Sequence, residues 1–439
     1  MNIVVMTGSY HPKYSANSRC LGNIVEELEN NHHITVISND PSENNSRGQY
    51  RNHDIVRVSS LRQKKRKKIE KKINSSTGIK KTFWKQLLTF NKVIHVSKTL
   101  VSKYTVEYEL VEEYLHALNS IEDKIDVIIP ACNPIESILA AQKYNSSKLD
   151  TIKIIPFLFD KYSTSKTAHW FDFNRSLKMK NHLHLEKRMI EQSNAILTYF
   201  SWADHIKKHF AQFEKKITYV EHPLIKETDD ITENNVIAQS EEISIVYAGG
   251  LSRKIRHPQY TIDLLKEIID VNQSVMVHLF ITGDCNQIVN EQIKGYSANI
   301  VNHGTVTSKE AINAMKGASY LLLIGNDDIS QMQSKVYEYM SCGRPIILLY
   351  KHSEDPIIKV LEKYPYVCML KQDEQLLESN KKTLVSFIES NRNSYVNFND
   401  IKKIYYDSTP EYIANKLIKV INENNGGETQ IDNTYHASL

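Results

Sequence analysis

Short apolar runs alternate with amphipathic stretches along most of the chain. "NIVVMT" (Asn2–Thr7) is the first run. In the stretch after it, "SANSRCLGNIVEELEN", Leu21, Ile24, Val25 and Leu28 share one helical face. "HITVIS" and "DIVRVS" read as the next strands. "DVIIP", a helix through "IESILAAQKY", the strand "IKIIPFLF", a helix around "EKRMIEQS", and the strands "AILTYF" and "KITYV" follow. The polar stretch 226–242 has no strong period and reads as a linker. Alternation then restarts with "ISIVYAGG", "VMVHLFITG", "NIVNHGTV", "YLLLIGN", "PIILLY" and "YVCML". Strands alternating with helices make βαβ units and parallel sheets. The pattern therefore predicts two doubly wound α/β domains in series, 1–225 and 243–405. A last helix, 406–425, can return to the first domain, and the tail 426–439 is polar enough to stay disordered.

One segment breaks the alternation. Between 61 and 120 the expected strand is delayed by an insertion. It opens with "RQKKRKKIEKK" (62–72), eight basic residues against one acid, and continues with "TFWKQLLTF". Basic residues followed by aromatics and leucines at helical spacing suit a membrane surface carrying anionic lipid, here through 62–90. A solvated basic helix with an apolar face packed on the domain is the other reading. The overall charge of +4 is too mild for a general nucleic-acid binder.

Composition narrows the class further. The chain has 439 residues, 41% hydrophobic and 24% charged, and none of its apolar runs reaches the roughly 18 residues of a membrane span. "MNIVVMTGSY" lacks the basic start and cleavage site of a signal peptide. The five cysteines are scattered without a CxxC pair, which fits a reducing compartment and no zinc site. The expected location is cytoplasmic, peripheral at the inner face of the cell membrane.

Doubly wound sheets bind ligands at the carboxyl ends of their strands. Two facing domains would set a cleft between two such edges. After the first strand comes "TGSYHPKYSANSRC", which is not GxGxxG, so no nicotinamide or flavin cofactor is expected. Its loop offers Ser9, Tyr10, His11 and Asn17. Asn133 and Asp160 follow later strands of the same domain. In the second domain "GGLSRKIRHPQY" places Gly249 and Gly250 ahead of Arg253, Lys254, Arg256 and His257, a plausible diphosphate clamp or a solvated basic loop. "ITGDCN" adds Gly283 and "VNHGTV" adds His303. In "LLLIGNDDISQMQSKVYEYMSCGRPII" a buried strand runs into a polar loop and then a helix starting near Ser334. There Lys335 adds a charge, and Glu338 can accept from vicinal hydroxyls such as a ribose's.

"YAGGLSRKIRHP" and "SKVYEYMSCGRPII", within two serial α/β domains, resemble the GT-B-fold glycosyltransferases of family 4, in particular their capsular- and exopolysaccharide-type members. "SANSRCLGNIVEEL" is similar to their first helix, and "EKRMIEQSNAILTYFSWADHIKKHF" with "ITYVEHPLI" to the end of their N-terminal domain. The resemblance spans nearly the whole chain. It implies retaining transfer of a hexose or N-acetylhexosamine from a UDP- or GDP-sugar, without metal or other cofactor, to a saccharide acceptor, often lipid-linked. It places Arg253 or Arg256 on the donor diphosphate, Lys335 near the phosphates and Glu338 on the ribose. The chain departs from the family pattern at Ser330, where a second glutamate usually stands eight positions before Glu338. Asp327 and Asp328 lie close enough to take over contacts to the sugar hydroxyls. The remaining expectations place Gly249, Gly250, Gly283, His303 and Ser334 on the donor, and Ser9, Tyr10, His11, Asn17 and Asn133 on the acceptor, with Asp160 catalytic. The lost glutamate also motivates a non-catalytic GT-B partner subunit as an alternative, and a UDP-sugar 2-epimerase is a third.

Overall fold

The computed structural model describes residues 1–12, 14–41, 44–149, 151–164, 172–227, 237, 243–253, 255–327, 329 and 332–423. Lys254, Asp328 and Ser330 lie outside these, as do most of 226–242 and all of 426–439. The chain forms two compact units. One is Met1–Pro223 with the helix that starts at Pro410; the other is Leu224–Thr409.

The first unit opens with β1 (Asn2–Thr7), α1 (Ala16–Leu28), β2 (His33–Asn39), β3 (Ser46–Tyr50) and β4 (His53–Val58). The insertion follows as α2 (Leu61–Asn74), α3 (Gly78–Val101) and α4 (Tyr108–Asn119). Next come β5 (Val127–Pro130), α5 (Glu136–Ser147), β6 (Lys153–Ile154) and β7 (Phe157–Leu158). The unit continues through α6 (Asp172–Glu191), β8 (Ile196–Tyr199), α7 (Ala203–His209) and β9 (Ile217–Val220).

Its main sheet has the order β3-β4-β2-β1-β5-β6, parallel except for β3 against β4. β1 and β2 lie inside the sheet, which is why their sequences are continuous apolar runs rather than alternating ones. Met6, Ile37, Tyr114, Ile128 and Ala140 meet in a core between this sheet, α4 and α5. The run "IKIIPFLF" does not form one strand. Pro156 has no N–H to give, so the run divides into β6, paired with β5, and β7, paired with β8 in a second sheet of order β7-β8-β9. A bridge between Ala131 and Phe157 links the two sheets.

The second unit contains β10 (Ile243–Leu251), α8 (Gln259–Val271), β11 (Val275–Gly283), α9 (Asn286–Gln292), β12 (Ile300–Asn302) and α10 (Ser308–Gly317). β13 (Tyr320–Ile324), α11 (Lys335–Ser341), β14 (Ile346–Tyr350), α12 (Pro356–Leu361), β15 (Val367–Lys371), α13 (Leu377–Ser390) and α14 (Phe398–Ile404) complete it. All strands are parallel, in the order β12-β11-β10-β13-β14-β15. The chain therefore builds outward from β10 on one side, then returns to build outward from β13 on the other. α15 (Pro410–Glu423) belongs to the first unit, where it packs on α1.

Two glycines of the second unit are dictated by space. Gly283 has φ +104° at the end of β11, and a Cβ there would overlap the Leu251 carbonyl oxygen. Gly343 closes α11 at φ +73°, where a Cβ would overlap the Val396 carbonyl oxygen.

Candidate active site

β10 pairs with β11 along its whole length, from Ile243–Val275 to Leu251–Gly283. On its other edge it pairs with β13 only at Ile245–Tyr320 and Val246–Leu321. Beyond Val246 the two central strands part, and the crevice of a doubly wound sheet opens at this switch point.

Tyr339 of α11 fills the base of the opening. Its hydroxyl accepts from the Ala248 N–H at 2.8 Å and donates to the Ala248 carbonyl at 3.2 Å. One fully buried phenol thus satisfies both backbone groups of Ala248, immediately before Gly249 and Gly250, which continue β10 opposite Ile281 and Thr282. Burial holds the phenol far above its usual titration range. Tyr339→Phe keeps the ring and strands both backbone groups. The expected result is a fall in stability of about 1–3 kcal/mol, measured by denaturant unfolding.

Arg256 spans the mouth of the crevice. One Nη donates to the Gly250 carbonyl at 2.8 Å and lies 3.4 Å from the Tyr247 hydroxyl; the other donates to Asn326 Oδ1 at 2.6 Å. The guanidinium therefore ties the loop after β10 to the loop after β13. Its Nε is buried and has no partner among the described residues. Lys335, the first residue of α11, lies 3.2 Å from Glu338, with its side chain 38% exposed. Gln333 donates to the Ile324 carbonyl at 3.0 Å and steadies the chain leading into α11.

These groups surround a cavity of about 420 Å³. Gly249, Gly250, Arg256, Ser334 and Lys335 line it, so five of the residues singled out in the sequence converge on one space. Thr282, Thr307, Ser308 and Asn326 add polar groups to the lining, and Phe280 supplies an aromatic wall. No role was expected for these residues. Thr307 was accessible to inspection, since Thr-x-x-Glu is a capping box; Thr307 and Glu310 cap α10 reciprocally. Asn326 follows a strand, which also marked it.

Other expected donor residues stand off the cavity. The side chain of Arg253 is exposed, and its backbone N–H donates to Asp284 at 3.2 Å. Gly283 serves the close approach to Leu251 described above. His303 stacks on Phe280 at 4.5 Å and meets His278 at 3.0 Å, so it backs the aromatic wall rather than lining the cavity. Burial lowers the pKa of both histidines, that of His278 to about 4. Asp327 is engaged by Lys351 at 2.6 Å. Glu338 is directed to Lys335 and is not in the lining.

In the first unit, Asn17 at the start of α1 donates to Asp160, after β7, at 3.3 Å. The start of α1 and the loop after β7 thus meet, bringing the expected acceptor residue Asn17 to the expected catalytic Asp160. Gly8 N–H donates to the Asn133 carbonyl at 3.2 Å, and Ser9 beside it is half-buried. His11 stacks on Tyr50 at 3.8 Å. Tyr10 faces inward: it is 3% exposed, and its hydroxyl lies 3.2 Å from His53, which is hydrogen-bonded to Glu29 at 2.5 Å. Tyr10 thus anchors the loop from below. Among the described residues no cluster of three or more His, Cys, Asp or Glu side chains is placed to hold a metal.

No protein-family model and no curated protein sequence matches the chain. Solved structures do match over nearly its full length. Sucrose-phosphate synthase from Thermosynechococcus elongatus superposes with a TM-score of 0.59 at 10% identity, over 96% of this chain and 98% of that one. WaaG, a glycosyltransferase involved in lipopolysaccharide biosynthesis, gives 0.55 at 10% identity, over 97% and 100%. An enzyme described as a UDP-N-acetylglucosamine 2-epimerase from Listeria monocytogenes gives 0.56 at 10% identity, over 96% and 95%. At such low identity the likeness speaks for architecture alone. Two Rossmann-like parallel-sheet units in series, matched along nearly the whole chain, give this protein the GT-B fold.

Proposed function

We propose that the protein is a retaining hexosyltransferase. It moves a hexose or N-acetylhexosamine from a UDP- or GDP-sugar to a saccharide acceptor, lipid-linked and at the cytoplasmic face of the membrane, in the assembly of a cell-surface polysaccharide. The observation that carries this reading is the convergence of Arg256, Lys335 and the Gly249–Gly250 backbone on one cavity at the switch point of the second unit. A diphosphate needs cations and backbone approach, and this cavity provides both.

On this reading Lys335 leaves Glu338 for the diphosphate, and Glu338 accepts from the ribose hydroxyls. Arg256 presents its guanidinium to the phosphate oxygens while holding the two loops together. The bond from the anomeric carbon to the phosphate oxygen breaks as the acceptor oxygen bonds on the same face, and the acceptor's proton passes to the departing phosphate. The protein's contribution is fixed positive charge where negative charge develops. In the first unit Asp160 and Asn17 orient the acceptor hydroxyl, with Ser9, His11 and Asn133 on the neighbouring loops.

A panel of UDP- and GDP-sugars, scored for free nucleotide release with an oligosaccharide acceptor, tests the proposal. Acceptor-dependent release from one donor is the expected result. Isomerised donor without any acceptor would identify an epimerase instead, a reading kept open by the Listeria structure. Absence of any thermal shift with UDP, GDP or their sugars would identify a non-catalytic subunit.

A further inference from the structure

The insertion forms a helical hairpin: α2 and α3 pack on each other. Little of either is covered. Ile69 is the buried residue of α2, and Thr99 that of the 24-residue α3. The root of the hairpin is fixed. Ser60 caps α2, Arg62 pairs with Glu107, and Lys64 pairs with Glu113 at 2.9 Å. The hairpin is therefore presented in a set orientation rather than hung on a tether.

α3 has two apolar sides. Trp84 turns toward α2, where the Lys72 ammonium lies 4.2 Å from its ring centre. Ile79, Phe83, Phe90, Val93 and Val101 lie on a different face and are 90%, 57%, 60%, 55% and 89% exposed. At 3.6 residues per turn these positions fall on one stripe. α2, the other arm of the hairpin, carries Lys65, Arg66, Lys67, Lys68, Lys71 and Lys72, with Arg66 and Lys67 paired to Glu70, its single acid. Among the described residues no helix is long and apolar enough to cross a membrane. A hairpin with an exposed apolar stripe on one arm and a dense run of cations on the other matches a surface that is apolar beneath and anionic at its face.

We infer that the α2–α3 hairpin docks the first unit on an anionic lipid bilayer. The Ile79–Val101 stripe enters the headgroup–acyl boundary, and the α2 cations lie against the lipid phosphates. The sequence reading centred on the aromatics of 62–90; the structure moves the inserted face to the outer side of α3, extends it to Val101 and gives Trp84 to the hairpin's own packing. This inference goes beyond the transfer reaction and does not depend on it.

Flotation of the full chain with phosphatidylcholine vesicles, with and without phosphatidylglycerol, tests it. The wild type should float with the phosphatidylglycerol vesicles and release as salt rises. Phe83→Ser with Phe90→Ser should lose at least about tenfold in partitioning. Lys65→Gln with Lys68→Gln should lose roughly tenfold and flatten the salt dependence. Thermal unfolding checks that the variants fold, and the assay needs no donor or turnover, so failed catalysis and failed docking are separable. Equal flotation by the wild type and the phenylalanine variant would overturn the inference. So would a wild-type dimer in light scattering that the phenylalanine variant dissolves without any vesicle binding, since a second copy would then cover the stripe.

Discussion

Lys335→Ala is expected to lower turnover by about 100-fold while leaving stability almost unchanged. The two halves of that expectation separate a ligand group from a structural one. In the structure Lys335 holds Glu338 one turn along α11, at 3.2 Å. A pair of this kind contributes about 0.2–0.5 kcal/mol to a helix, and lysine before glutamate is the poorer order. Its removal should therefore shift a denaturant midpoint only slightly. On the proposed reading the same ammonium faces the charge that grows on the departing diphosphate, so its loss falls on turnover. Turnover with saturating donor, read beside the unfolding midpoint, checks the prediction. A variant of full activity, or one several kcal/mol less stable, would contradict the assignment.

Arg256→Lys is the second test, and the expected loss in kcat/KM is again about 100-fold, despite the retained charge. The guanidinium reaches the Gly250 carbonyl and Asn326 Oδ1 at once, from opposite sides of the crevice. A lysine ammonium has no planar fork to span them. The loops after β10 and β13 would no longer be fixed to each other, and the cavity would lose its shape along with the phosphate contact proposed for Arg256. Because hydrogen bonds to a charged group are also lost, stability should fall by about 1–3 kcal/mol. Lys335→Ala and Arg256→Lys therefore predict different signatures in one activity and unfolding experiment. If Arg256→Lys is as active as the wild type, the fork has no part in binding.

The βα alternation was legible because central parallel strands are buried on both faces and therefore read as apolar runs. β3 was not legible: "SRGQY" is an exposed edge strand with neither apolar alternation nor an apolar run. The division at Pro156 was hidden for a different reason, since an apolar run does not say which neighbour each half will pair with. In the candidate site, position at or after the end of a strand located Gly249, Gly250, Arg256 and Lys335. The same rule could not say which side chains of a loop turn inward. Arg253 and Arg256 are three residues apart, yet one faces solvent and the other bridges the crevice. Tyr339 was least visible, because its role exists only where two strands part and leave a backbone edge to be satisfied.

The placement of α15 has a consequence for synthesis. It completes the first unit, packing on α1 and receiving the Lys153 ammonium at the Ile421 carbonyl, while Lys416 donates to Tyr219. Yet it leaves the ribosome only after all of Leu224–Thr409. At about 5–20 residues per second, the first unit waits on the order of ten seconds for its closing helix. The N-terminal unit is thus the later of the two to become complete, and the surface of α1 that α15 covers is open to chaperones throughout that interval.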